Sequence, residues 1–93
     1  MFLDQFVFSM EYRTYILFSK TLNRYYVGFT SDALSERLRK HNTNHKGYTG
    51  RVNDWEVVYF EVYASKQEAY AREREINSKK SRSYIERLVA SAG

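Results

Sequence analysis

Glu73 is the least expected residue in this chain. It lies in "EAYAREREI" (68–76), where Ala69 and Ile76 mark the apolar stripe of a helix and a leucine would serve the core. A carboxylate on such a stripe is costly unless it is paired, hydrogen-bonded or metal-bound. An ion pair with Arg72 or Arg37, or a stripe end that stays wet, would satisfy it. So would a hard divalent cation, which takes oxygen ligands and keeps several waters. Arg37 and His41 are four residues apart in "RLRKH". They read either as the solvated flank of a helix or as a phosphate clamp beside a proton carrier. Arginine grips phosphate through parallel N–H groups, and an unperturbed imidazole titrates near neutral pH. His41 and His45 share the same spacing, but zinc would need at least one more ligand and the helix is expected to end between them. Tyr15 and the Tyr25-Tyr26 pair raise a further question. Phenylalanine would pack a strand as well and has no hydroxyl to satisfy, so these phenols either reach the surface or line a site.

The elements that must position these groups follow from periodicity. "YRTYILF" (12–18) is rich in β-formers and apolar on both faces. "SKTLNR" (19–24) is a polar turn, and "YYVGFT" (25–30) is the return strand of a hairpin, with Tyr25, Val27 and Phe29 on one face and Tyr26, Gly28 and Thr30 on the other. Gly28 weakens a strand and marks a bulge or a close approach. Ser31 or Asp32 is expected to cap a helix running to about residue 42, with Leu34 and Leu38 as its buried stripe. Residues 42–54 read as loop, and "WEVVYFEVY" (55–63), apolar on both faces, as a central strand. Ser65 and Glu68 form a capping box opening a helix over 65–80, and 81–90 is a short helix with Tyr84, Ile85, Leu88 and Val89 inward. The order β-β-α-β-α-α predicts an α/β (α+β) domain on a small three-stranded sheet with flanking helices.

Composition sets the outer bounds. Ninety-three residues make one domain with a modest core. Residues 1–11 read as an N-terminal extension, with Met10 an alternative start, and 12–93 as the domain. Without cysteine there are no disulfides and no thiolate metal sites, which fits a reducing compartment. The apolar opening "MFLDQFVFSM" lacks a basic flank, carries Asp4 and is too short to span a bilayer. The net charge of +4 is unevenly spread: residues 37–53 hold five bases and no acid, 54–71 are acidic, and 72–93 are basic again. Two basic blocks are either solvated faces or the footprint of a polyanion.

In this order and spacing, the residues resemble the GIY-YIG nuclease domain, especially its small single-domain members and the catalytic module of the excision-repair nuclease. The first family tripeptide falls on Arg13-Thr14-Tyr15, keeping only its tyrosine, and the second on Tyr26-Val27-Gly28. Ten residues separate the two tyrosines. The Arg-x-x-x-His element is Arg37 to His41, and the metal-binding acid falls on Glu73. The tail "KKSRSYI" (79–85) resembles the small members too, and Asn77 stands where they often carry lysine.

The resemblance implies a cytoplasmic, Mg²⁺- or Mn²⁺-dependent endonuclease of the DNA-repair type, acting on nucleic acid, with DNA the expected substrate. Its catalytic residues would be Tyr15, Tyr26, Arg37, His41 and Glu73, with Glu73 holding the metal. Either Tyr15 or His41 would handle the proton of the attacking water. Lys46, Arg51, Lys79, Lys80 and Arg82, from the two basic blocks, are candidates for tracking the nucleic-acid backbone. The alternative is a nucleic-acid-binding module on the same fold that does not cut. A protein partner or dimer could supply specificity, and no membrane association is expected.

Overall fold

The structure, a computed structural model, describes residues 11–43 and 45–92. The N-terminal extension expected over residues 1–11 therefore falls almost wholly outside the described residues. Three antiparallel strands, β1 (Tyr12–Ser19), β2 (Arg24–Thr30) and β3 (Trp55–Tyr63), form a sheet in the order β2-β1-β3. The helices are α1 (Leu34–His41) between β2 and β3, then α2 (Lys66–Ser78) and α3 (Arg82–Ser91). The α+β class and the β-β-α-β-α-α order agree with the periodicity of the chain.

The central strand is β1, not the 55–63 segment that the apolar run suggested. Thr14 to Leu17 are buried in succession because both faces of β1 are covered. β3 lies at an edge, and its Phe60 and Val62 remain about half exposed. An apolar run reports low polarity on two faces, but it does not say whether both neighbours are strands.

Alternation along the strands divides the core in two. On one face Tyr15, Leu17 and Trp55 pack with Leu34 and Leu38 of α1 and with Leu22, Tyr26, Val52 and Val57. On the other, Ile16 and Val27 pack with Ile76 of α2 and with Tyr84, Ile85, Leu88 and Val89 of α3. Thr14, on this second face, donates its hydroxyl to the Ala69 carbonyl at 2.7 Å and pins β1 to α2.

The helix ends show where local signals hold. Ser65 accepts from the Glu68 amide and Ser81 from the Tyr84 amide, so both later helices have side-chain caps. α1 does not: neither Ser31 nor Asp32 caps it, and the N-cap is Ala33 without a side-chain bond. The Thr30 hydroxyl instead accepts the Asp32 amide at 2.9 Å, while the Asp32 carboxylate pairs with Lys40 at 3.3 Å. The stretch 42–54 is not wholly irregular, since Tyr48–Arg51 form a 3₁₀ turn.

Candidate active site

Tyr15 stands on the face of β1 that looks toward α1, directly opposite Gly28 on β2. A Cβ added at Gly28 would lie 2.6 Å from the Tyr15 hydroxyl and 2.8 Å from Cζ. The phenol therefore lies over bare backbone. Gly28 is required for space rather than for conformation, since no described glycine has positive φ.

α1 brings two groups to that hydroxyl. His41, its last residue and only 6% exposed, places Nε2 2.7 Å from Tyr15 Oη. Arg37, one turn earlier on the same face, donates Nε to the same oxygen at 3.3 Å. The Tyr26 ring sits 5.0 Å from the His41 ring, centroid to centroid. The pair Arg37 and His41 is thus not a wet helix flank. Four of the five residues singled out from the sequence, Tyr15, Tyr26, Arg37 and His41, converge.

Glu73 enters from α2. Helical spacing places Arg72 and Glu73 on opposite flanks of the buried Ala69–Ile76 stripe. On one flank, Arg72 forks onto Glu61 of β3, with Nε–Oε1 at 2.9 Å and Nη2–Oε2 at 3.1 Å. It also reaches Glu75 and Tyr84. On the other flank, Tyr70 packs against Phe29 of β2, and Glu73 is half-buried. With Arg72 engaged by Glu61 and Arg37 by Tyr15, Glu73 has no ion pair among the described residues, and its one hydrogen-bond partner there is Asn77. It is still close enough for its charge to act on Tyr15.

The electrostatics follow from burial and from these neighbours. Burial raises the Tyr15 phenol above its ordinary value; the Arg37 hydrogen bond and charge oppose this, and Tyr26 and Glu73 add to it. Burial, Arg37 and His45 push His41 down to about 4, so its imidazole is neutral at pH 7. The bond to Tyr15 raises Arg37, which stays a fixed cation.

A cleft of about 420 Å³ opens beside this group, lined by Tyr26, Arg37, Lys40 and His41 and, from the following loop, by Thr43, His45, Gly47, Tyr48 and Thr49. Lys46 is exposed between two lining residues, His45 and Gly47, and Arg51 stacks on the lining Tyr48, 5.6 Å from its ring centroid. Lys79, Lys80 and Arg82 lie elsewhere, at the α2–α3 junction. Lys79 sits over Tyr84, and Lys80 adopts φ 48 where the chain turns between the helices. Arg82 donates to Asn23 O and Oδ1 at 2.8 and 2.9 Å and to Glu86 at 2.9 Å, so its guanidinium ties α3 to the β1–β2 turn.

Among the described residues, no three His, Cys, Asp or Glu side chains cluster as a ready-made metal cage. His41 and His45 do not face a shared metal position; both imidazoles bond to the Thr49 hydroxyl, at 2.8 and 3.1 Å. A half-buried carboxylate without an ion pair beside a phenol and a guanidinium does fit a hard cation that keeps most of its waters.

A small α+β domain with a phenol, an imidazole and a guanidinium on one hydroxyl, and a lone acid nearby, defines a class that the family comparison identifies. Residues 11–85 match the model of the GIY-YIG catalytic domain, and the chain belongs to that family. It is also similar to a UPF0213 protein from Bacillus halodurans solved in solution by NMR. The two are 30% identical over 90% of this chain and 87% of that one, with a TM-score of 0.54. No match was found among curated proteins. The chain thus carries the nuclease fold of this family. No helix among the described residues is long and apolar enough to cross a membrane.

Sequence reasoning missed three positions that hold the site in place. Trp55 donates its indole N–H to the Thr49 carbonyl at 2.8 Å. Asn42 pairs with both backbone groups of Trp55, at 2.8 and 3.1 Å, joining the end of α1 to the start of β3. Thr49, only 3% exposed, joins the two histidines. The tryptophan was a visible signal, since a lone buried indole needs an acceptor; the threonine carried none.

Proposed function

We propose that this chain is a divalent-metal-dependent endonuclease that hydrolyses phosphodiester bonds of nucleic acid, with DNA the expected substrate. One observation carries the reading: the Tyr15 hydroxyl, seated on Gly28, is met by Arg37 and His41 while Glu73, without an ion pair among the described residues, lies within charge range. A purely structural phenol does not need a guanidinium, an imidazole and a glycine gap.

Glu73 would hold Mg²⁺ or Mn²⁺, whose positive charge, when bound, offsets charge developing at the scissile phosphate. Arg37 is a cation at every working pH and is placed to stabilise the same charge. Tyr15 accepts or directs the proton of the attacking water. A buried phenol with a raised pKa cannot ionise unaided near neutrality, so it depends on donors at its oxygen, and Arg37 is one of them. Tyr26 walls the cleft and packs on His41. Lys46 and Arg51 beside the cleft would contact flanking phosphates, with Lys79 and Lys80 adding charge at longer range and Arg82 largely engaged within the fold.

The test is a panel of labelled DNA and RNA structures with Mn²⁺ or Mg²⁺, wild type beside Glu73→Ala. Metal-dependent nicking should be lost in the variant while binding is retained. If the wild type binds with strong salt dependence but nicks nothing, the chain is a binding module on this fold. If Glu73→Ala loses folding and binding together, Glu73 is structural.

A further inference from the structure

The flank of α2 that carries Glu73 also carries an exposed aromatic ring that the proposed chemistry does not use. Lys66, Tyr70, Glu73 and Asn77 recur every three or four residues, so they stand along one face of the helix, with Arg74 at its margin. Tyr70 is 44% exposed. Its ring meets Phe29 of β2 with centroids 5.2 Å apart and planes tilted by 50°. The two rings are splayed rather than stacked. A groove of about 380 Å³ opens beside them, lined by Phe29, Lys66, Gln67 and Tyr70. Ligand pockets run from about 300 to 1,000 Å³, so this one suits a single small ring system.

The charge around the groove is all of one sign. No acid lines it, and Lys66 does. Arg74 lies over the Tyr70 ring, 5.6 Å from its centroid. Neither cation belongs to an ion pair among the described residues. Gln67 offers an N–H donor and a carbonyl acceptor to whatever enters. Aromatic faces set between free cations suit a nucleic-acid strand, whose bases stack on the rings while its phosphates meet the cations. An apolar protein segment would gain from the rings and nothing from the cations.

We propose that the Phe29–Tyr70 groove takes one unpaired base of the nucleic acid; its place next to the phosphate at Glu73 rests on the nuclease reading. Tyr70 precedes Glu73 by three residues, about 4.5 Å along the helix axis. That is of the order of one nucleotide of rise, about 3.4 Å per strand. Lys66 and Arg74, on either side of the ring, meet the phosphates of that nucleotide and its neighbour. A base within a duplex is covered on both faces by its neighbours and cannot enter without leaving the stack. Tyr70 therefore favours single-stranded, gapped or frayed nucleic acid over intact duplex. It determines specificity and does no chemistry.

The experiment measures binding by the full chain in chelator, so that nothing is cut. The probe is a thymidine DNA strand carrying one 2-aminopurine, single-stranded or annealed to its complement. Its fluorescence should fall when the wild type binds the single strand, and Tyr70→Ala should remove most of that fall. Tyr70→Ala should weaken single-strand binding roughly 5- to 100-fold, the range for losing one stacked base, and duplex binding by less than about twofold. Tyr70→Trp, which restores a ring, should recover both readouts. Tyr70→Leu keeps apolar bulk against Phe29 without the ring, and repeats the test should Tyr70→Ala unfold. Unchanged affinities in these variants, an equal loss on single strand and duplex, or a silent 2-aminopurine in the wild type would each overturn the proposal. Nicking is read separately with Mn²⁺. A wild type that stacks the base but nicks nothing upholds the groove and refutes the nuclease reading. Nicking that persists while binding ignores Tyr70 does the reverse.

Discussion

At Gly28, adding one methyl group would put a carbon 2.6 Å from the Tyr15 hydroxyl and 3.1 Å from the Tyr26 ring, so the phenol would have to move. Gly28→Ala is expected to leave the chain folded and to lower turnover by about 100-fold, since a misplacement of about 1 Å at a reacting group costs that much. Circular dichroism beside nicking rates checks this; an active Gly28→Ala would show that Tyr15 does not have to sit where it does. Arg37→Ala removes a donor and a fixed cation from the same oxygen. The expected loss is on the order of 2–4 kcal/mol of transition-state stabilisation, read as a fall in kcat rather than a rise in KM. The residue types and spacings of Tyr15, Tyr26, Arg37 and His41 were legible in the chain because a strand and a helix each impose a fixed period. The partners of His41 were not. Thr49 reaches it from a loop, and loop geometry has no period to read.

Among the elements, α2 depends on one charge cluster. Glu61 accepts from Tyr59, from Tyr63 at 2.6 Å and from the Arg72 fork, joining the outer part of β3 to α2. Burial works to raise the Glu61 carboxyl, but Arg72 and the two phenols outweigh it and hold it down to about 2. The cluster also keeps Arg72 away from Glu73, so a structural ion pair is what leaves the candidate metal ligand without one. Glu61→Gln should destabilise the fold by about 1–3 kcal/mol, because a half-buried guanidinium loses its forked counter-charge and keeps only the exposed Glu75. Denaturant titration measures it, and an unchanged midpoint would mean that the cluster contributes nothing. Such a pairing of β3 with α2 could not be predicted from sequence. The acidic stretch and the basic block were visible, but which acid meets which base depends on the register of β3 against β1.

For the whole molecule, two buried titrations shape stability against pH. His41 is depressed from 6.5 to about 4, so the unfolded chain binds the extra proton between those values and stability falls as pH drops through that window. Glu61 is depressed from 4.5 to about 2, so its contribution is complete above the upper value and lost as pH falls below it. Acid unfolding should therefore show two limbs, the upper one on the order of 2 kcal/mol. His41→Gln should flatten the limb above pH 4.5 and Glu61→Gln the one below it; a single limb unchanged by both substitutions would refute the assignment. Binding to nucleic acid belongs to the same scale. Lys46→Ala and Arg51→Ala together should reduce the slope of log affinity against log salt by about 1–2 if both touch phosphates, and Arg82→Ala should change it less. Fluorescence anisotropy across a salt series reads the slope directly.

The chain alone determined the class of fold, the order of its elements and the set of candidate site side chains, since strand and helix periods and residue chemistry are local properties. Tertiary structure decided that β1 and not β3 is the centre of the sheet, that Asp32 serves an ion pair rather than a cap, and that Arg72 belongs to Glu61. It also decided that a threonine from the 3₁₀ turn after α1 faces both histidines. None of these follows from the period of a single strand or helix, and they are set only when the sheet register, the loop path and the helix packing are chosen together.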